Sequence, residues 1–233
     1  MPDFSVRTWL PEKMDQPDVD AGEIRQALRE LEIINKFLGG YHVIKDALEK
    51  IKWDNHTMTI VDLGCGGGDL LCAIADWAEK SERKVKLIGI DWNPVMTEFA
   101  RERAANYRNI EFNTMSVHDD HLLNLNADIA MSSLFCHHFD NAELVKLIRR
   151  MNQIASRAVI INDIHRHWMA YHSIHLITAL FSKTYLVKYD APLSVARSLT
   201  RREWKNILFT AGINEYRLSW MWAWRWQLIF PTQ

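Results

Sequence analysis

Ile60-Val61-Asp62-Leu63-Gly64-Cys65-Gly66-Gly67-Gly68-Asp69-Leu70 carries an apolar, β-branched run into four glycines within five positions. The run reads as a buried strand, and the glycines after it leave peptide N–H groups free to meet something flat or extended. Leu70-Leu71-Cys72-Ala73-Ile74-Ala75 then opens a helix, so the segment is a strand, loop and helix with a nucleotide-type site at the turn. Spacing excludes two kinds of nucleotide loop. G-x-G-x-x-G is met by Gly64 and Gly66 and fails at Asp69, while a phosphate loop lacks its Lys and its hydroxyl residue. What remains is D-x-G-x-G-x-G, on Asp62, Gly64, Gly66 and Gly68.

Outward from this unit, strands and helices alternate. Upstream, residues 22–51 have helical periodicity through Ile24, Leu28, Leu31, Ile34 and Leu38, broken at Gly39-Gly40, which predicts two helices before the first strand. Downstream, strands are expected over residues 84–90, 110–114, 128–133 and 157–163, with helices over about 69–81, 94–105 and 141–153. This order predicts an α/β fold, a doubly wound and mainly parallel sheet. After Asp163 the chain makes an excursion: an apolar, His-rich stretch over 165–187, then a polar segment around 191–198 leading to a helix near 201–211. Residues 215–230 place Trp at 220, 222, 224 and 226; one strand of that length is unusual, so a hairpin turning near Ala223 is expected.

Composition narrows the function. The 233 residues, 48% apolar, suit one domain, and 28 Lys and Arg against 29 Asp and Glu leave no positive field for nucleic acid. A small-molecule acceptor is the expected partner. Three cysteines without metal-type spacing read as free thiols in a reducing cytoplasm, and the acid- and proline-containing first residues are no signal peptide. The apolar stretch at 168–181 is too short to span a bilayer, so no stable membrane insertion is expected.

With Asp62, Gly64, Gly66 and Gly68 in place, the chain resembles the class I S-adenosylmethionine-dependent methyltransferases. The resemblance implies a Rossmann-like, seven-stranded sheet closed by a C-terminal antiparallel hairpin, with S-adenosyl-L-methionine as cofactor and S-adenosyl-L-homocysteine as product. It implies that Asp91, closing the second strand, takes the ribose hydroxyls, since one carboxylate offers paired acceptors. Trp92 then stacks on adenine or simply packs; Asp62 and Cys65 belong to the loop on the methionine side. Ser116 stands where relatives carry Asp and, with Val117, flanks the adenine amine, with Asp119 or Asp120 as substitutes. Ser132 and Ser133 end the fourth strand beside the methionine moiety, before His137 and His138. Glu12, Met14, Asp15, Asn35, Gly39 and Gly40, together with residues 161–166, resemble small-molecule methyltransferases found beside polyketide-type biosynthesis.

A sulfonium donor is already activated, so the chemistry calls for alignment and a base, and the candidates are His137, His138, His165 and Asp163. Each histidine has a plain alternative as a loop hydrogen bond. No metal site is expected, and His172 and His175 at i,i+3 sit among apolar residues. The expected division is a helical cap over residues 1–57, a cofactor half over 58–163, a helical lid over 164–200, and a terminal helix with hairpin over 201–233. The 168–181 helix is read as a lid, with plain core or lipid contact as its alternatives. The expected reaction is methyl transfer to a hydroxylated aromatic or quinol-like acceptor, on oxygen before carbon. A silent cofactor-binding subunit is the alternative. Oligomeric state is left open.

Overall fold

The computed structural model describes residues 3–232. Its centre is β1 (Met58–Leu63), a strand buried on both faces, as its continuous apolar run requires. On one side it pairs in parallel with β2 (Val85–Asp91), which pairs with β3 (Ile110–Thr114). On the other it pairs with β4 (Ala127–Ser133), followed by β5 (Ala155–Ile164), again in parallel. β7 (Arg225–Pro231) runs antiparallel against β5 and carries β6 (Arg217–Met221) at the edge, giving the order β3-β2-β1-β4-β5-β7-β6. The predicted doubly wound sheet and its terminal hairpin are both present, and Trp222-Ala223-Trp224 forms the turn between the last two strands.

Helices cover both faces. α2 (Gly40–Glu49) and α3 (Asp69–Lys80) pack on one face, against a core of Ile44, Leu48, Leu71 and Ile74. α5 (Asn141–Ile154) and α8 (Arg201–Ala211) pack on the other, around Ile148, Met151, Trp204 and Leu208. Their starts are sequence-local: Asp140 and Glu143 form one capping box, Thr200 and Glu203 another, and Asn93 caps α4 (Pro94–Arg103) with Pro94 at its first turn.

Beyond β5 the chain forms two helices, α6 (Trp168–Phe181) and α7 (Tyr185–Arg197), which pack on each other. The polar segment expected at 191–198 is therefore corrected to the second half of α7. Pro192 lies inside that helix, and Thr184 caps its start, so the breaker cost one internal bond and did not end the element. The tryptophans differ in burial: Trp226 is buried with its indole N–H on the Leu199 carbonyl, whereas its register partner Trp220 on the edge strand and Trp222 in the turn are exposed. Strand order reverses between β1 and β4, and the crevice this opens at their carboxyl ends is where a ligand belongs in such sheets. α1 (Ala21–Phe37) lies over that crevice.

Candidate active site

A cavity of about 750 Å³ fills the crevice. Its floor is the loop after β1. Gly64 has φ +76°, and a Cβ there would stand 2.3 Å from the Phe135 ring, so only glycine permits both the turn and the approach. Arg103 braces the loop from below, donating to the Gly67 carbonyl at 2.8 Å while paired with Glu32 at 2.6 Å. Gly64, Cys65, Gly66 and Asp62 all line the cavity. Gly68 does not. It caps α3 with φ +71°, and a Cβ on it would meet the Phe112 ring at 2.6 Å, so its glycine is required by packing.

Asp91 closes β2 at the cavity wall, nearly buried, accepting from the Gly66 N–H at 2.9 Å and the Asn93 N–H at 3.0 Å. Burial pushes its carboxyl up, against the pull of those two N–H groups. Asp62 is pushed up further, by burial and then by Asp69 and Asp91, and its Oδ1 has no hydrogen-bond partner. Three carboxyls crowd one loop, and a cationic ligand set among them would favour their ionised forms. Trp92, half exposed, lines the rim together with Ser116 and Val117. Neither Asp119, which caps a short 3-10 turn, nor Asp120, which pairs with Arg150, reaches the cavity lining.

At the end of β4, Ser133 lines the cavity and accepts from Asn162 Nδ2 at 2.8 Å. Ser132 turns into the core and donates to the Leu63 carbonyl at 3.0 Å, off the cavity wall. The next turn carries His137 and His138, with rings 4.5 Å apart, and both line the cavity. Asp163, buried at the end of β5, sits 2.7 Å from His137 Nδ1 through its Oδ1 and so holds that ring without lining the cavity itself. His138 Nδ1 is 3.0 Å from Asp15. Burial alone would lower the His138 pKa, but Glu12 and Asp15 outweigh it and raise it. His165 is elsewhere, against Trp226, with its Nδ1 buried and unpartnered; burial, then His167, lowers it to about 4. It does not line the cavity.

Residues outside the predicted catalytic and cofactor sets complete the site. Glu12 is buried between Ser194 Oγ, at 2.9 Å, and the two imidazoles. Arg7 and Arg197 hold the turn through its carbonyls: Arg7 donates to His137 and Phe139, and Arg197 to His138 at 3.0 Å and to Leu10. Asp190 on α7 accepts from the Lys13 and Met14 N–H groups at 2.8 and 2.9 Å, clamping the strap that carries Glu12 and Asp15. Glu12, Met14 and Asp15 stood in the quoted N-terminal pattern; Arg7, Arg197 and Asp190 gave no local signal. Opposite this polar cluster the wall is apolar, from Leu31, Ile34 and Leu38 of α1, Ile174 and Ile177 of α6, and Trp224.

A glycine loop after β1, a carboxylate closing β2 and this strand order make the fold of the class I S-adenosylmethionine-dependent methyltransferases. Residues 60–157 match the family model described as a methyltransferase domain. Among solved structures, the chain is similar to human N-acetylserotonin methyltransferase in complex with S-adenosylmethionine: 14% identity, 91% of this chain, 56% of that one, TM-score 0.66. It is also similar to the CurJ carbon methyltransferase, at 16% identity over 94% of this chain and 62% of that one, TM-score 0.64. The plantazolicin methyltransferase BpumL in complex with S-adenosylhomocysteine gives 15% identity, 93% and 92% coverage, and TM-score 0.64. Four of the matched structures are longer proteins, of which the chain spans 50–62%. No curated protein sequence matches the chain. Two of these structures hold S-adenosylmethionine or S-adenosylhomocysteine, and the residues here fit such a ligand: the partnerless Asp62 Oδ1 suits an ammonium, and Asp91 a ribose diol.

Proposed function

We propose that this chain transfers a methyl group from S-adenosylmethionine to an oxygen of a small hydroxylated aromatic or quinol-like acceptor. The observation that carries this reading is the His137–Asp163 pair, 2.7 Å between Nδ1 and Oδ1, in a ring that lines the cavity between the glycine loop and the apolar wall. The donor, when bound, supplies a methyl group already activated on a sulfonium. Everything else is asked of the chain's own side chains. Asp163 holds the Nδ1–H tautomer of His137, which leaves Nε2 free to take a hydroxyl proton; such a base supplies about 10²–10⁴ in rate. Glu12 lies 3.6 Å from that Nε2 and balances the imidazolium that forms.

A phenol with an ordinary pKa near about 10 is within reach of such a base, which favours oxygen over carbon as the accepting atom. The apolar wall suits a flat acceptor, and the near balance of charges favours a small molecule over nucleic acid. In this reading α6 and α7 are the lid over the acceptor within residues 164–200. Residues 1–57 are the cap, 58–163 the cofactor half, and 201–233 the closing helix and hairpin. Cys65, Cys72 and Cys136 are all free thiols, which supports a cytoplasmic setting. Among the described residues no helix is long and apolar enough to cross a membrane.

The test is a screen of phenols and quinols with S-adenosylmethionine, reading the methylated atom by NMR. Oxygen methylation is expected; carbon methylation would move the reaction to the alternative, and cofactor binding without any transfer would leave a silent binding subunit. In the same assay His137→Gln should lower turnover about 100-fold or more while sparing S-adenosylhomocysteine affinity. Asp91→Ala should weaken that affinity at least about tenfold, as expected for lost charge-assisted bonds. Equal affinity in Asp91→Ala would remove the cofactor assignment.

A further inference from the structure

Both histidines of the turn after β4 are tied by the same nitrogen. His137 Nδ1 meets Asp163 at 2.7 Å and His138 Nδ1 meets Asp15 at 3.0 Å, so in each ring the carboxylate holds the Nδ1–H and the lone pair is left on Nε2. The two Nε2 atoms converge on one carboxylate. His137 Nε2 lies 3.6 Å from Glu12 Oε1 and His138 Nε2 lies 3.8 Å from Glu12 Oε2, and donor atoms of the three side chains lie within 4.8 Å of one another. These separations are too long for hydrogen bonds. A transition-metal cation sits about 2.0–2.2 Å from each such ligand, which spaces neighbouring donors roughly 3–3.6 Å apart. The two carboxylate–imidazole separations lie at or just above that range, and drawing in three donors that lie within 4.8 Å of one another needs shifts of up to about an ångström.

We propose that Glu12, His137 and His138 bind a divalent first-row transition-metal cation at the acceptor end of the cavity. Two imidazoles and one carboxylate are a borderline donor set, suited to Zn²⁺, Co²⁺, Mn²⁺ or Fe²⁺ and poorly suited to Ca²⁺ or Mg²⁺. The carboxylate partners on both Nδ1 atoms are the orienting contacts such sites carry. Charge is compatible. Glu12, Asp15 and Asp163 bring three carboxylates, and the guanidiniums of Arg7 and Arg197 are engaged by main-chain carbonyls, although Arg197 Nε stands 4.0 Å from Glu12 Oε1. Three protein ligands leave coordination positions open, and all three side chains line the cavity, so a bound small molecule could supply a further oxygen. The site was invisible locally, because Glu12 is remote in sequence and adjacent histidines are no ligand motif.

Binding of Co²⁺ alone tests this, by equilibrium dialysis with metal analysis and by the visible ligand-field spectrum of the unmodified full chain. One Co²⁺ per chain is expected. Glu12→Gln and His138→Ala should each weaken binding at least about tenfold, and Asp163→Asn, which acts through His137, by roughly 10–100-fold. The His172→Ala/His175→Ala double variant on α6 should bind Co²⁺ as the unmodified protein does. Circular dichroism and S-adenosylhomocysteine affinity check that each variant is folded. Three results overturn the site: no Co²⁺ bound by the unmodified protein, undiminished binding in Glu12→Gln, or loss of binding in the α6 double variant. None of these readouts involves methyl transfer, so the site is tested independently of the proposed reaction; a cation on His137 Nε2 occupies the lone pair that would take the hydroxyl proton, so bound Co²⁺ is expected to suppress transfer that relies on the His137 base.

Discussion

His165 shows how far a single side chain's role depends on its surroundings. It follows β5 as His137 follows β4, yet its ring packs against Trp226 and its Nδ1 is buried without a partner. Burial, reinforced by His167, Arg166 and Arg201, lowers its pKa to about 4, below the ordinary value near 6.5. The unfolded chain therefore binds a proton there between about pH 6.5 and 4 while the folded chain does not, and stability falls as pH drops through that window. His165→Gln should flatten this part of the curve of urea midpoint against pH. It should leave turnover near that of the unmodified protein, because the residue is off the cavity wall. An unchanged slope in the variant would show that other groups carry the acid sensitivity.

Among the elements, the 3–20 strap and the turn after β4 depend on buried cations more than on their own sequence. Arg197, at the end of α7, donates to the carbonyls of Leu10 and His138 and approaches that of His137 at 3.4 Å. Arg197→Met keeps much of the packing and strands these carbonyls; each buried acceptor left unpaired costs about 1–3 kcal/mol. The expected result is a drop in unfolding free energy of about 2–4 kcal/mol, with faster hydrogen exchange concentrated in residues 8–15 and 136–139. Uniform loss of protection would place Arg197 in the global core instead. α6 belongs to the same scale. It buries only the stripe Ala170, Ile174 and Thr178, while Trp168, Met169, Leu176, Leu180 and Phe181 stay exposed, so it is not a plain core helix. Its apolar run was readable as a helix, but α7 was not, because Pro192 and the polar residues beside it look like a break until Thr184 is seen capping the helix.

For the whole molecule, the cavity couples the cap, the glycine loop and the β4 turn, so a ligand that fills it should stabilise the fold globally. S-adenosylhomocysteine at a hundred times its dissociation constant adds about 2.7 kcal/mol, and in a chain of this size about 2–4 °C accompanies each kcal/mol. A rise in melting temperature of roughly 5–11 °C is expected from these two figures, and Asp91→Ala should remove most of it. By itself the sequence determined the alternation of strands and helices, the glycine loop and the carboxylate of Asp91 at the end of the second strand, whose ribose role only the family resemblance implied. Those rest on hydrophobic periodicity, backbone sterics and a carboxylate at a strand end, all properties of neighbouring residues. Only the tertiary structure decided which titratable groups meet: it brought Glu12 to His137 and His138, set Asp163 behind His137, and withdrew His165, Ser132 and Gly68 from the cavity. Such encounters depend on packing between elements far apart in the chain, where no local periodicity records which faces will touch.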